Sequence, residues 1–120
     1  MADSMLQDPL YRHVMSEVKL VYTHISWMSR YYYTWNNYNS PLLYLRRASW
    51  SFMRTNMNFV TETWANLNTL VANDGRPELK ALLKPLEDRT EVWESSKKFL
   101  EDVIQRSEYY YAQKWIDDDD

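Results

Sequence analysis

The chain has 120 residues and a formal net charge of −3, and its apolar content includes ten Tyr, six Trp and six Met. One glycine and four prolines leave little material for the tight turns of a β protein, and the absence of cysteine excludes disulfides and thiol chemistry. No apolar run approaches ~18 residues, so no transmembrane segment is expected. These features predict an all-α chain that forms a single helical domain over residues 1–120.

The first predicted helix covers residues 9–38. Asp8 followed by Pro9 indicates a helix start, because the carboxylate can accept from backbone N–H groups and proline is tolerated at the first helical position. Apolar residues then recur at steps of three and four from Tyr11 to Trp35, which predicts a buried helix face. A second stripe, about 100° around the helix, contains His13, Leu20, His24, Trp27, Tyr31 and Tyr38. Such an excess of aromatic side chains indicates an interface.

The second predicted helix covers residues 42–72 and begins after Ser40-Pro41. Its buried face follows an unbroken heptad pattern: Trp50, Met53, Met57, Val60, Trp64, Leu67 and Val71. A second stripe that includes Phe52 and Phe59 is interpreted as the wider face that contact with two neighbouring helices requires. Because only a few residues join the first two helices, we expect them to pack as an antiparallel pair.

The third predicted helix covers residues 78–116, after a reversal at Asn73-Asp74-Gly75. Pro85 lies inside its apolar pattern and is expected to kink the helix or to separate a short turn from the main body. Three long helices with short connections predict an antiparallel up-down-up three-helix bundle. Residues 1–8 and 117–120 are expected to fray as chain termini. In the second segment the four terminal aspartates also oppose the helix dipole.

The charge of the chain is divided along its length. Between Glu17 and Glu62 there is no acidic residue and the net charge is +5, whereas from Glu78 onward twelve acids and seven bases give −5. Aromatic and arginine side chains concentrate on both sides of the first predicted hairpin, and these residue types dominate protein-binding hot spots. The candidate interaction residues are Trp27, Tyr31, Tyr38, Tyr44, Arg46 and Arg47.

These features predict a non-enzymatic helical interaction module, either self-associating or a small subunit of a larger protein assembly. Two alternatives remain open. The basic and aromatic segment from Lys19 to Arg54 could bind nucleic acid or another anionic surface electrostatically, and a bundle with bulky Trp and Met stripes could hold a hydrophobic ligand. Contact with a membrane surface is the less favoured form of anionic binding.

The sequence predicts no catalytic, cofactor or metal site. His13 and Glu17 are spaced i, i+4 and could place two ligands on one helix face. His24 is about 16 Å from His13 along the helix axis, which is too far for the two histidines to share an ion. No Gly-x-Ser-x-Gly motif is present, and a single glycine cannot build a phosphate-binding loop. The first residues carry no secretory signal pattern, so an intracellular location is the default expectation.

One tripeptide resembles a known family. Leu10-Tyr11-Arg12, near the start of the first helix, is similar to the motif of the LYR-motif proteins, which are small three-helix mitochondrial assembly and acyl-carrier-binding factors. The resemblance covers three residues of a chain rich in tyrosine. Those proteins are typically basic, whereas this chain is acidic and lacks a presequence-like start, so no functional role is carried over.

Overall fold

The structure, a computed structural model, describes the backbone of residues 6–38 and 47–114 and the side chains of residues 6–30, 51–110 and 112. These residues are almost entirely helical and include no strand, which confirms the all-α prediction. Within them the chain forms five helices, which we number α1 Pro9–Tyr38, α2 Arg47–Asp74, α3 Pro77–Leu82, α4 Lys84–Glu87 and α5 Thr90–Lys114.

Helix α1 has the predicted bounds. An oxygen of the Asp8 carboxylate accepts a hydrogen bond from the Leu10 N–H at 2.9 Å, so the expected capping contact is present. The buried side chains of α1 are Val14, Val18, Val21, Ile25 and Met28, all members of the predicted face. The same face continues to Tyr32 and Trp35, whose side chains lie outside the described residues.

Helix α2 ends at Asp74, two residues later than predicted. Gly75 follows in the left-handed conformation (φ 83°), and its N–H donates to the carbonyl of Val71 at 3.0 Å. Glycine reaches this conformation without steric cost, so it closes the helix and lets the chain reverse. The predicted start at Ser40-Pro41, like residues 42–46, lies outside the described residues.

The third predicted helix is divided into α3, α4 and α5, which corrects the expectation of one interruption at Pro85. Pro85 has no N–H to donate to the carbonyl four residues earlier, so α3 ends before it, and its ring fits the first turn of α4. A further break at Asp88 and Arg89 separates α4 from α5. Residues 115–120 lie outside the described part of the chain.

All five helices contribute side chains to one hydrophobic cluster. Three polar contacts also join distant segments: Arg76 pairs with Asp8, the Arg54 guanidinium lies 2.8 Å from the Glu108 carboxylate, and Arg89 donates to the Tyr22 hydroxyl at 3.0 Å. The guanidinium of Arg89 also lies 5.1 Å from the centre of the Tyr22 ring. The first contact joins the start of α1 to the turn after α2, and the contact of Arg89 joins α1 to the break before α5. The contact of Arg54 joins α2 to α5.

The predicted buried face of α2 is confirmed at five positions: Met53, Met57, Val60, Leu67 and Val71 are buried. The sequence also predicts a buried Trp64; in the structure that side chain packs against the cluster but is only half-buried. The fully enclosed indole among the described residues is that of Trp93 on α5, which is 3% exposed.

Two serines on α5 are fully buried and differ in their hydrogen bonding. The Ser107 hydroxyl donates to the Val103 carbonyl at 2.8 Å, whereas the Ser96 hydroxyl has no hydrogen-bond partner among the described residues. Because an unsatisfied buried hydroxyl is unfavourable, we expect Ser96→Ala to raise the free energy of unfolding by about 1 kcal/mol. Ser107→Ala should lower it by about the same amount.

Urea denaturation followed by far-UV circular dichroism measures both changes. The two variants remove the same atom from the same helix at the same burial, so each is the control for the other. A loss of stability in Ser96→Ala equal to that in Ser107→Ala would contradict the assignment of Ser96 as unpaired.

Arg76 joins the start of α1 to the end of α2. Its guanidinium donates to the carboxylate of Asp8, and its Nε donates to an oxygen of Asp74 at 2.7 Å. The hydrogen bond from Arg76 is the main cause that holds the pKa of both carboxyls below the ordinary value of 3.8. The same bonds raise the pKa of Arg76, so the arginine stays charged from acidic to strongly alkaline pH.

This arrangement predicts an acid-dependent contribution to stability. A carboxyl whose pKa is depressed by folding stabilises the folded state above its unfolded pKa, and that contribution disappears as the pH falls through the folded value. We therefore expect the wild type to exceed Arg76→Gln in stability at pH 7 and the difference to shrink below about pH 4. Urea titrations at a series of pH values measure the difference. Lys98→Gln, at an exposed lysine of α5, should show no such trend, and a pH-independent Arg76→Gln effect would contradict the prediction.

Candidate protein-interaction surface

Of the six candidate interaction residues, the structure describes the side chain of Trp27. Tyr31 and Tyr38 belong to the last turns of α1 and Arg47 to the first turn of α2, but their side chains lie outside the described residues. Tyr44 and Arg46 lie entirely outside. The contacts predicted among these six side chains therefore remain a prediction.

Trp27 contacts an aromatic residue of α2 that the sequence assigned to a core-facing stripe. The Trp27 and Phe52 rings have centroids 5.5 Å apart and planes at 80°, an edge-to-face arrangement. Phe52 remains 54% exposed and Trp27 is half-buried. The pair thus lies at the surface, with much of the Phe52 ring in contact with solvent.

A second contact lies further along the same two helices. The rings of His24 and Phe59 have centroids 4.7 Å apart and are tilted by 41°. The Nδ1 atom of His24 lies 2.9 Å from the Leu20 carbonyl oxygen, to which the Nδ1–H tautomer donates. This bond fixes the imidazole ring against α1, and the Leu20 side chain beside it is 43% exposed.

These residues form a continuous surface, which we call the aromatic face: Leu20, His24, Trp27, Phe52 and Phe59. It arises because the second stripes of α1 and α2 meet each other along the helix pair. The sequence placed an interface on α1 but treated the equivalent stripe of α2 as core. Pattern alone could not separate these roles, since a stripe facing a neighbouring helix and a stripe facing solvent have the same period.

Positive charge flanks the aromatic face. Lys19 and Arg30 on α1 are exposed, whereas Arg54 on α2 is paired with Glu108 of α5. The acidic part of the chain therefore neutralises one of the cations in the basic segment. This pairing weakens the positive field that an electrostatic binder of polyanions would use.

A groove that the sequence did not reveal lies between α2 and the stretch from α3 to α5. It consists of two adjoining cavities of about 400 and 320 Å³, and Asn68 and Glu87 line both. Trp64 lies on the α2 wall and Trp93 on the opposite wall. Both cavities are open to solvent, so the half-buried indole of Trp64 is reachable from outside.

Two further kinds of site were sought among the described residues. These residues contain no group of three or more His, Asp or Glu side chains that could hold a metal ion, and His13 is exposed on α1. No helix in the ranges 6–38 and 47–114 is long and apolar enough to cross a membrane.

Comparison with known proteins adds no assignment: no protein-family model, no curated protein and no solved structure matches this chain.

Proposed function

We propose that this chain is a non-enzymatic helical interaction module and that its aromatic face binds protein, either a second copy of the chain or another subunit of an assembly. The observation that carries the proposal is the edge-to-face Trp27–Phe52 pair, in which Phe52 is 54% exposed. Large aromatic side chains held in fixed positions at a surface lose little conformational entropy on binding, and they supply much of the affinity of protein interfaces.

The exposed area is large enough to matter energetically. A phenylalanine side chain can bury about 150–250 Å², so the exposed part of Phe52 offers roughly 100 Å². At about 25 cal/mol per Å², its burial would contribute on the order of 2–3 kcal/mol to association. Leu20 and the exposed parts of Trp27 and Phe59 add to this value.

We further propose that the helices form the antiparallel up-down-up bundle expected from the sequence. Contacts along α1 and α2 support this arrangement: Trp27 meets Phe52 and His24 meets Phe59, and Asp8, just before α1, meets Arg76, two residues after α2. As the residue number on the α1 side falls from 27 to 24 to 8, the number of its partner on the α2 side rises from 52 to 59 to 76. This opposite order is the pattern of antiparallel helices. In such a bundle the aromatic face runs along the outside of the first helix pair.

Light scattering across a concentration series tests the proposed function. We expect the wild-type chain to associate as its concentration rises, and we expect Phe52→Ser with Leu20→Ser to shift it to monomer. Tyr109→Ser is the matched control, because Tyr109 is a 69% exposed aromatic residue on α5, outside the aromatic face. A wild-type monomer would contradict self-association and leave a foreign protein partner. Equal effects of control and test variants would contradict the role of the aromatic face.

The electrostatic alternative is binding of nucleic acid or another anionic surface. It is supported by exposed Lys19 and Arg30 and by the absence of acids between Glu17 and Glu62. The two functions predict different effects of salt and of substitutions on affinity. If the surface binds protein, affinity should change little with salt, and Tyr31→Ala with Tyr38→Ala should weaken binding more than loss of the arginines. If it binds nucleic acid, affinity for DNA or RNA should fall linearly with salt on a log–log plot. The double variant Arg46→Ala, Arg47→Ala should then lose most of that slope.

A further inference from the structure

His24 is the titratable member of the aromatic face. Its ring packs on that of Phe59, with centroids 4.7 Å apart, and its Nδ1 atom lies 2.9 Å from the Leu20 carbonyl oxygen. The side chain is half-buried, so part of the imidazole remains in contact with solvent. Because the other members of this face carry apolar or aromatic side chains, His24 is the position at which the surface can change its charge.

The separate chain accommodates His24 in both protonation states. An Nδ1–H group can donate to the Leu20 carbonyl whether the ring is neutral or charged, so protonation at Nε2 leaves this bond in place. The charged ring also stays beside the Phe59 ring, at a centroid distance within the ~6 Å over which aromatic rings attract cations. Histidine is the side chain whose charge ordinarily changes between pH 5 and 8, and neither contact prevents that change.

The charged groups around His24 come from the two helices of the aromatic face. Glu17 and Lys19 precede it on α1, and on α2 Glu62 lies one turn beyond Phe59. In the described part of the chain no ion pair joins His24 to either carboxylate. A positive charge on His24 is therefore stabilised by solvent rather than by a paired carboxylate.

Association at the aromatic face would remove that solvent. An imidazolium that is covered by apolar surface loses its hydration, and desolvation disfavours the charged form of a histidine. A second copy also brings its own His24 together with Lys19 and Arg30, which are exposed beside the same face. The exposed carboxylate of Glu62 offsets only part of this positive charge. The neutral ring avoids both the loss of hydration and the repulsion between like charges.

We propose that the charge of His24 controls association of the aromatic face with a second copy of the chain: the neutral ring permits association and the imidazolium opposes it. This inference rests on the proposed self-association and adds its regulation. The copies then separate as the pH falls from 7.5 to 5.5, while each stays folded. The contacts of Arg76 with Asp8 and Asp74 persist in this range, because the pKa of both carboxyls lies below 3.8.

The composition of the chain allows a direct test, since His13 and His24 are its two histidines. Sedimentation velocity of the chain without a histidine tag measures association at pH 7.5 and at pH 5.5. We expect the wild type to associate roughly tenfold or more weakly at the lower pH. His24→Gln cannot be protonated and should associate equally at both pH values. His24→Arg is positive at both and should associate weakly at both.

His13→Gln is the matched control, because His13 is exposed on α1 and does not belong to the aromatic face. It should keep the pH dependence of the wild type. Equal association of the wild type at both pH values, or a pH dependence that survives in His24→Gln or disappears in His13→Gln, would overturn this proposal while self-association stands. A wild type that loses its helical circular dichroism at pH 5.5 would also overturn it, because the proposal assigns separation to folded chains. A wild type that is monomeric at both pH values would overturn self-association itself, and this inference with it.

Discussion

Replacement of Trp93 with alanine is expected to lower the free energy of unfolding by ~3–5 kcal/mol, the usual cost of removing a buried indole. Trp93 is 3% exposed and belongs to the hydrophobic cluster shared by all five helices. Its removal leaves a cavity at the start of α5, near the break that separates this helix from α4. For a chain of 120 residues such a loss is a large fraction of the total stability.

Trp64→Ala is the matched comparison, because the same side chain lies across the groove but is only half-buried. We expect it to destabilise the chain clearly less than Trp93→Ala, and Thr63→Ala to have the smallest effect of the three. Urea denaturation followed by far-UV circular dichroism gives all three values without dependence on tryptophan fluorescence. If Trp64→Ala lowers the free energy of unfolding more than Trp93→Ala does, the assignment of Trp93 rather than Trp64 as the buried indole is wrong.

The start of α1, the turn after α2 and the buried face of α1 could be predicted from the sequence because each depends on local chemistry. The capping carboxylate of Asp8 and the ring of Pro9 specify where α1 begins. The left-handed conformation at Gly75 specifies where the chain turns after α2. The spacing of Val14 to Met28 likewise identifies the buried face of α1. None of these features depends on how the helices are arranged.

The depth of burial could not be predicted in the same way. Trp64 and Leu67 are consecutive core positions of the heptad pattern, yet Leu67 is 2% exposed and Trp64 is half-buried. Periodicity identifies the side of a helix that faces a neighbour, but the distance to that neighbour sets how much area is covered. In this chain the opposite wall stands away from α2 near Trp64 and leaves the groove open.

The aromatic face was predictable only on α1. Trp27 stood out because its stripe holds more aromatic area than a core requires, whereas Phe52 and Phe59 could equally well have faced a third helix. The assignment of Phe52 to the surface depends on which helix lies beside α2 and at what rotation. That information is carried by contacts such as Trp27–Phe52 rather than by either stripe alone.

Leu86→Ala is expected to lower the free energy of unfolding by ~2–5 kcal/mol, although it lies in a helix of four residues. A helix this short has no stability of its own, since nucleation costs more than its few hydrogen bonds return. Leu86 is fully buried, and α4 packs against α1. We infer that burial of this side chain holds α4 in place and, through it, the connection from α3 to α5.

The control is Leu82→Ala, because Leu82 is the same residue type near the end of α3 but is half-buried. It should cost clearly less than Leu86→Ala in urea denaturation. Hydrogen exchange supplies a second readout: in Leu86→Ala the amides of α3 and α4 should exchange faster than those in the middle of α1. Equal costs for the two leucines, with unchanged exchange across residues 77–87, would show that α4 is held by its neighbours rather than by Leu86. Because α4 lies between two helix breaks, its position depends on tertiary packing more than that of the long helices does. Leu86 is the fully buried side chain that provides this packing.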